Sequence, residues 1–349
     1  MSANFSQHII SKNKSAREAL IQLNELASNA ILFVVDDDNT LIGSLTDGDI
    51  RRGLINEIDI HSNVTLFIQP NPKFVIKNNY SVSDIIGYRK NHFKIIPVVD
   101  ESKKVVSIIN FNLLKSYLPI DAIIMAGGKG ERLKPLTNDT PKPLLRIGNK
   151  PIIEHHLDNL AKYGIDDFWI SINYLGDQIV SYFGDGANKG VSIKYIKEEK
   201  PLGTMGSVSY LEGNQHKYVL VTNSDLLTNI DYEDFFINFL ESEADFSVIS
   251  IPYKVTIPYA ILELNNNVLL DFKEKPTYTY QSNGGVYLMK REILDLISKH
   301  AFFNATDLME LLIAKNKKVI NYPHNGYWLD IGKHEDFNQA QKDILHLSF

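Results

Sequence analysis

The sequence contains no cysteine. That absence excludes disulfide staples, thiolate nucleophiles and zinc sites built on thiolates, and it fits a reducing, cytoplasmic compartment. Long hydrophobic runs are missing too. The most apolar stretches, such as residues 30–35, are far too short to cross a bilayer, and residues 1–14 hold no apolar segment of signal-peptide length. The expectation is a soluble intracellular protein with no membrane partner. Nor is there a surplus of positive charge: the formal charge of -6 argues against a general nucleic-acid-binding surface, so any cationic site must be local.

What is there is ordinary in bulk and unusual in detail. With 349 residues, 44% of them hydrophobic and 22% charged, the chain has a globular composition and exceeds one compact core. Two domains are expected, residues 1–118 and 119–349. The densest local pattern is residues 125–143, MAGGKGERLKPLTNDTPKP. Residues 120–125 before it are β-branched and apolar apart from Asp121, which reads as a buried parallel strand delivering its following loop to a ligand crevice. Gly127, Gly128 and Gly130 remove side chains where backbone amides must approach phosphate oxygens. Lys129, Arg132 and Lys142 supply fixed positive charge, and a triphosphate suits such a loop. Two better-known glycine signatures fail. The third glycine of a dinucleotide fingerprint is replaced by Leu133, and no Gly-Lys-Ser/Thr closes a Walker loop.

Residue by residue the stretch resembles the signature of the sugar-1-phosphate nucleotidyltransferases, A-G-G-x-G-x-R-L-x-P-L-T followed by P-K-P-L-L. The resemblance implies that Ala126, Gly127, Gly128 and Gly130 hold the nucleotide and that Arg132 and Lys142 act on the phosphates. Further motifs of that family follow in order. Glu198 opens E-x-x-P-L-G-T, which implies sugar-side contacts for Glu198 and base contacts for Leu202, Gly203 and Thr204. Asp225, after the apolar run 218–222, and Asp330, before Ile331-Gly332, are implied ligands of Mg²⁺. Between them Phe272-Lys273-Glu274-Lys275-Pro276 matches F-x-E-K-P, with Glu274 implied at sugar hydroxyls and Lys275 at the sugar phosphate. Asn283 and Gly284 match an N-x-G that precedes a strand (286–289) lining the sugar pocket. Singly, each has a plainer reading: the aspartates as caps, EKP as a charged turn, NGG as a hairpin turn. Their order along one chain favours the site. His155 and His156 read as packing or surface residues of a helix.

Residues 1–118 hold two similar units, each a helix, two short strands and a second helix, and they resemble a pair of cystathionine-β-synthase (CBS) domains. That resemblance implies an adenine-nucleotide ligand and homodimerisation or higher self-association. Thr46 and Asp49 match a ribose-holding T-x-x-D, and a helix cap explains them equally well. Asn110 stands near the threonine position of the second unit, with no aspartate after it. From Asp121 onward helix 151–163 and strands 167–172 and 217–222 alternate, so the fold class expected is α/β: a doubly wound, Rossmann-like nucleotidyltransferase domain behind an α+β tandem CBS pair.

The implied reaction joins a sugar-1-phosphate to an NTP and releases pyrophosphate. A CBS pair fused to such a domain is similar to guanylyltransferases of bacterial nonulosonic-acid and surface-glycan pathways, which implies GTP and glucosamine-1-phosphate as substrates and GDP-glucosamine as product. The neighbouring readings are a mannose-1-phosphate guanylyltransferase and a uridylyl- or thymidylyltransferase. A reading of another class is a nucleotide-sensing regulatory protein without turnover; the retention of Arg132, Lys142, Asp225 and Lys275 counts against it.

Overall fold

The structure, a computed structural model, describes residues 5–213 and 216–347. Two compact units divide the chain: one holds the residues up to Pro119 together with Leu160–Asp167 and Asp185–Ser192, and the other holds the rest. Among the described residues no helix is long and apolar enough to cross a membrane.

The first unit is a structural repeat. Strand β1 (Ile9–Ser11), helix α1 (Ala16–Leu26), strands β2 (Leu32–Val35) and β3 (Leu41–Leu45) and helix α2 (Asp47–Ile55) form one copy; β4 (Val75–Ile76), α3 (Val82–Lys90), β5 (Ile95–Val99) and β6 (Val105–Asn110) form the next. In each copy the leading strand runs parallel to the second and the second pairs antiparallel with the third. The register even breaks at equivalent points, Val34/Val35 and Val98/Val99. Capping chemistry starts the helices. Ser15 with Glu18 and Thr46 with Asp49 form reciprocal capping boxes, and Ser81 caps α3. The leading strands, three and two residues long, are too short to carry a readable alternation. The expected closing helix of the second copy does not form. Beyond one turn at Asn110, the backbone N–H of Lys115 donates to Lys162 O at 2.6 Å and that of Leu118 to Tyr163 O at 3.0 Å, so the donors a helix needs are used elsewhere.

The second unit is built on a seven-stranded sheet. In chain order its elements are β7 (Ile120–Ala126), a ribbon of β8 (Arg146–Ile147) and β9 (Lys150–Pro151), α4 (Ile152–Lys162), β10 (Asp167–Ile172), α5 (Gly176–Phe183), β11 (Ser192–Lys197), β12 (Tyr218–Asn223), β13 (Leu226–Thr228), α6 (Tyr232–Glu241), β14 (Phe246–Thr256), β15 (Ile261–Asn265), β16 (Val268–Lys273), β17 (Thr277–Lys290), α7 (Ala305–Ala314), β18 (Val319–Pro323), β19 (Trp328–Asp330) and α8 (His334–Asp343). The strand order is β11-β10-β7-β12-β17-β14-β18. Strands β10, β7 and β12 are parallel, whereas β17 runs antiparallel to both neighbours, so the sheet is mixed. Helix α4 buries Ile152, Ile153, Leu157 and Leu160 at helical spacing, and the apolar strands β7 and β12 are buried in the manner of central strands.

Candidate active site

From β7 the chain builds β10 and then β11 on one side and returns with β12 on the other, and a crevice opens at the carboxyl ends where the order reverses. Asn223 pairs with Met125 across β12 and β7, and the Ser224 N–H donates to Met125 O at 3.2 Å. The glycine loop and the Asn223-Ser224-Asp225 step therefore emerge side by side. Between them is a cavity of about 400 Å³ whose wall includes Gly127, Gly128, Arg132, Lys142, Glu198 and Asp225. Two glycines have distinct reasons to be glycine. Gly130 sits at φ 64°, and a Cβ there would meet Thr137 Cγ2 at 2.9 Å and Lys142 Cβ at 3.0 Å; at Gly128 a Cβ would meet nothing within 4 Å, so the loop leaves open space.

Charge in this crevice is arranged by the short pairing of β13 with β19. Leu226 lies opposite Asp330, and the Ile331 N–H donates to Asp225 O at 3.0 Å, which brings two carboxylates from distant segments together. The Lys142 ammonium donates to Asp225 Oδ2 and lies 4.0 Å from Asp330 Oδ1. One ammonium does not satisfy both acids: Oδ1 of Asp225 and Oδ1 of Asp330 are buried without a hydrogen-bond partner. Burial first, and then the Asp225 carboxylate, push the Asp330 carboxyl above its ordinary range, against the pull of Lys142 and Arg132. Gly332 leaves room for the exposed Arg132, whose Nη2 would stand 3.1 Å from a Cβ at that position. An unsatisfied carboxylate pair with oxygen donors only is a fit for a hard divalent cation.

A second wall is built around Glu198. Its carboxylate accepts from Ser171 Oγ and from the Leu202 N–H at 3.1 Å, and the Asn173 amide donates to its backbone oxygen at 2.7 Å. These bonds pin the following loop, in which Gly203 holds φ 75° with Phe303 O only 2.6 Å from where a Cβ would stand. Thr204 Oγ1 accepts from the Ala305 N–H at 2.8 Å. Pro201, Gly203 and Thr204 face the cavity, and Leu202 does not. Leu202 is buried, its N–H is held by Glu198 and its oxygen by the Phe303 N–H, so the base-contact expectation shifts from Leu202 to its neighbours.

The sequence-expected residues thus separate into two groups. Gly127, Gly128, Gly130, Arg132, Lys142, Glu198, Gly203, Thr204, Asp225 and Asp330 converge on one crevice, while Ala126, the buried last residue of β7, leads into the loop without lining the cavity. Glu274 and Lys275 do not: they are exposed at the turn between β16 and β17, and Lys275 has φ 43°. Asn283 and Gly284 lie inside β17, which begins at Thr277 and not at residue 286. There Gly285 at φ 73° forms a bulge opposite the register break at Val248/Ser250, and Trp328 Nε1 donates to Gly284 O at 2.9 Å. Ser171 and Asn173 belong to no motif; a serine interrupting the buried run of β10 is the signal the sequence offers for them. In the first unit the Asp49 carboxylate accepts from Thr46, Gln69 and Arg52. His156 is a buried packing residue: Nε2 meets Thr222 Oγ1 at 2.9 Å, and burial pulls its pKa down to about 4.

Residues 121–346 match the nucleotidyl transferase family, and residues 8–56 match the CBS domain. The chain is 31% identical over 230 residues, 65% of its length and 99% of the relative's, to the D-glycero-alpha-D-manno-heptose 1-phosphate guanylyltransferase of Aneurinibacillus thermoaerophilus. It is 29% identical to the mannose-1-phosphate guanylyltransferase of Mycobacterium tuberculosis, covering 65% of each chain. A crystal structure described as a glucose-1-phosphate thymidylyltransferase of Bacillus anthracis, in complex with a sucrose, superposes with a TM-score of 0.54 at 25% identity, covering 66% of this chain and 97% of the other. The chain is a member of the nucleotidyl transferase family, of the kind that acts on sugar-1-phosphates, and carries a CBS domain ahead of its catalytic fold.

Proposed function

We propose that this protein transfers a guanylyl group from GTP to a hexose-1-phosphate, with glucosamine-1-phosphate as acceptor and GDP-glucosamine as product, and that the divalent ion is Mg²⁺. The observation that carries the reaction is the meeting of Lys142, Asp225, Asp330 and Arg132 at one crevice beneath a glycine loop. The guanylyl donor is supported by relatives named as guanylyltransferases. The residues to 118 act as the regulatory and self-associating part, with an adenine nucleotide as their ligand, and the residues from 119 as the catalytic part.

An oxygen of the sugar phosphate attacks the α-phosphorus, the bond from that phosphorus to the bridging oxygen breaks, and pyrophosphate leaves with the electron pair. No general base is needed. The second pKa of a phosphate monoester is about 6, so at neutral pH the nucleophile is already the dianion. The obstacle is repulsion between two polyanions and charge growing on the leaving group, and positioned cations lower it. Open space at Gly128 admits the triphosphate to backbone amides, Arg132 faces its outer phosphates, and Lys142 stands between donor and acceptor phosphates. Asp225 and Asp330 would hold the metal, which when bound neutralises phosphate oxygens and the two orphaned carboxylate oxygens together. Glu198 sets the loop at Gly203 and Thr204 that faces base and sugar. Lys275 and Glu274, which the family resemblance puts at the sugar phosphate and hydroxyls, stay exposed at the turn between β16 and β17, and Lys142 is the cation that faces the acceptor phosphate.

Pyrophosphate release with Mg²⁺, each NTP in turn and a panel of hexose-1-phosphates tests this. GTP with glucosamine-1-phosphate is expected to be turned over fastest. Preference for UTP or dTTP would refute the base assignment, and preference for mannose-1-phosphate the sugar assignment.

A further inference from the structure

Arg132 and Lys142, the two cations assigned to the phosphates, stand at either end of a span, residues 134–141, that forms no helix or strand. Their spacing in the crevice therefore depends on the bonds that hold this span. Within it Thr137 Oγ1 donates to Gly130 O at 2.9 Å, and the N–H groups of Leu136 and Asn138 donate to Leu133 O and Pro135 O at 2.9 and 3.1 Å. Further bonds come from outside. Tyr174 Oη donates to Asn138 O at 2.9 Å and lies 3.4 Å from Thr137 O, and Gln178 Nε2 donates to Asp139 O at 2.9 Å. Three consecutive carbonyls of an irregular span are thus met by two side chains of one neighbouring segment, which serves groups that lie outside any helix or sheet ladder.

That segment is itself firmly placed. Tyr174 follows β10 and leads into α5, whose Gly176 and Ile179 are buried, and a Cβ at Gly176 would stand 2.8 Å from Ile172 Cβ, so the start of the helix lies directly against the strand. One residue before Tyr174, Asn173 serves the opposite wall of the crevice through its bond to Glu198 O. Neither Tyr174 nor Gln178 lines the cavity.

We propose that Tyr174 is a positioning residue of the transfer reaction: by holding the span between Arg132 and Lys142 it sets where the two cations meet the triphosphate. This role rests on the assignment of those cations to the phosphates and extends it to a side chain outside the crevice. Electrostatic help to a polyanion depends on preorganised placement, and a displacement of ~1 Å caused by a change away from the reacting atoms can cost about 100-fold. A phenol oxygen suits the task, because its rigid ring has no long, flexible arm to order.

Tyr174→Phe removes one oxygen and leaves the ring, so the circular dichroism is expected to stay that of the wild type and the melting temperature to stay within about 2 °C of it. The probe is inorganic tripolyphosphate, titrated calorimetrically into the full chain with Mg²⁺ present, so that neither turnover nor the choice of base enters. Wild type, Tyr174→Phe, Arg132→Gln and the double variant form a cycle. Tyr174→Phe is expected to bind tripolyphosphate about three- to tenfold more weakly, the cost of one hydrogen bond carried through to the cations, and Arg132→Gln more weakly still. In the double variant the tyrosine effect should shrink, because one of the groups it positions is gone, whereas a merely structural tyrosine would add its effect unchanged. Wild-type affinity in Tyr174→Phe, beside a weakened Arg132→Gln, overturns the proposal and leaves the phosphate assignment standing. So does full additivity in the double variant. Wild-type affinity in Arg132→Gln removes the phosphate assignment of Arg132 and the role of Tyr174 with it.

Discussion

Replacing Lys142 by methionine keeps the length of the side chain and removes its charge, and the structure fixes what is lost. The ammonium donates to Asp225 and stands 4.0 Å from Asp330, with the Lys142 and Asp225 side chains only 12% and 20% exposed. A charge-assisted bond in so enclosed a setting contributes about 1.5–3 kcal/mol, and its loss leaves two carboxylates facing each other without a counter-ion in contact. For a chain of this size that is a fall in Tm of roughly 2–4 °C. Added Mg²⁺ should then raise the Tm of Lys142→Met by more than it raises that of the wild type, because the ion takes over the missing compensation. Turnover must behave differently. Well below the melting range and with saturating Mg²⁺, pyrophosphate release is expected to drop about a hundredfold or more, the usual cost of losing one preorganised electrostatic donor. Thermal melts with and without Mg²⁺, beside steady-state rates on the same samples, separate the two effects. A folded Lys142→Met protein that works at wild-type rate would refute the assignment of Lys142 to the phosphates and leave it a counter-ion only.

Gly203→Ala places a Cβ 2.6 Å from Phe303 O on a residue at φ 75°, so a loss of about 1–3 kcal/mol in stability and a raised KM for the nucleotide are expected from melts and rate measurements. Glu198→Gln keeps the shape but weakens the bonds to Ser171 and the Leu202 N–H; the KM for the nucleotide should rise several-fold with a smaller change in kcat. His156 gives a pH signature with a definite sign. The unfolded chain protonates this imidazole as pH falls below 6.5 and the folded chain does so only near 4, so stability present above 6.5 is lost across that interval, by up to about 3 kcal/mol. Denaturant titrations of His156→Asn between pH 7 and 4 should show a shallower slope than the wild type, by up to one proton.

Much of the candidate crevice was legible because it is local. Strand β7 and its glycine loop form one uninterrupted motif, and glycine spacing, cations and the apolar strand before them state their geometry directly. The pairing of Asp225 with Asp330 rested on family resemblance, since nothing local ties two aspartates that the β13–β19 ladder alone brings together. What failed to read had a tertiary cause. Residues 111–118 carry a helix-like pattern, but their donors are taken by Lys162 and Tyr163. The Asn283-Gly284-Gly285 step has a turn composition and yet sits within β17, where positive φ at Gly285 makes a bulge and not a reversal. Leu202 matched its motif, while its neighbours, and not Leu202 itself, reach the cavity wall.

The central claim is that a carboxylate-held divalent ion and fixed cations in one crevice offset the repulsion between two phosphorylated reactants. Its most direct measurement is pyrophosphate release from GTP and glucosamine-1-phosphate by wild type and Asp225→Asn, in EDTA and across a Mg²⁺ titration. The account predicts no turnover in EDTA, saturable recovery of the wild type, and a rate for Asp225→Asn lower by about a hundredfold or more at every Mg²⁺ concentration. Turnover in EDTA at the Mg²⁺-saturated rate, or an Asp225→Asn protein as fast as the wild type, would contradict it.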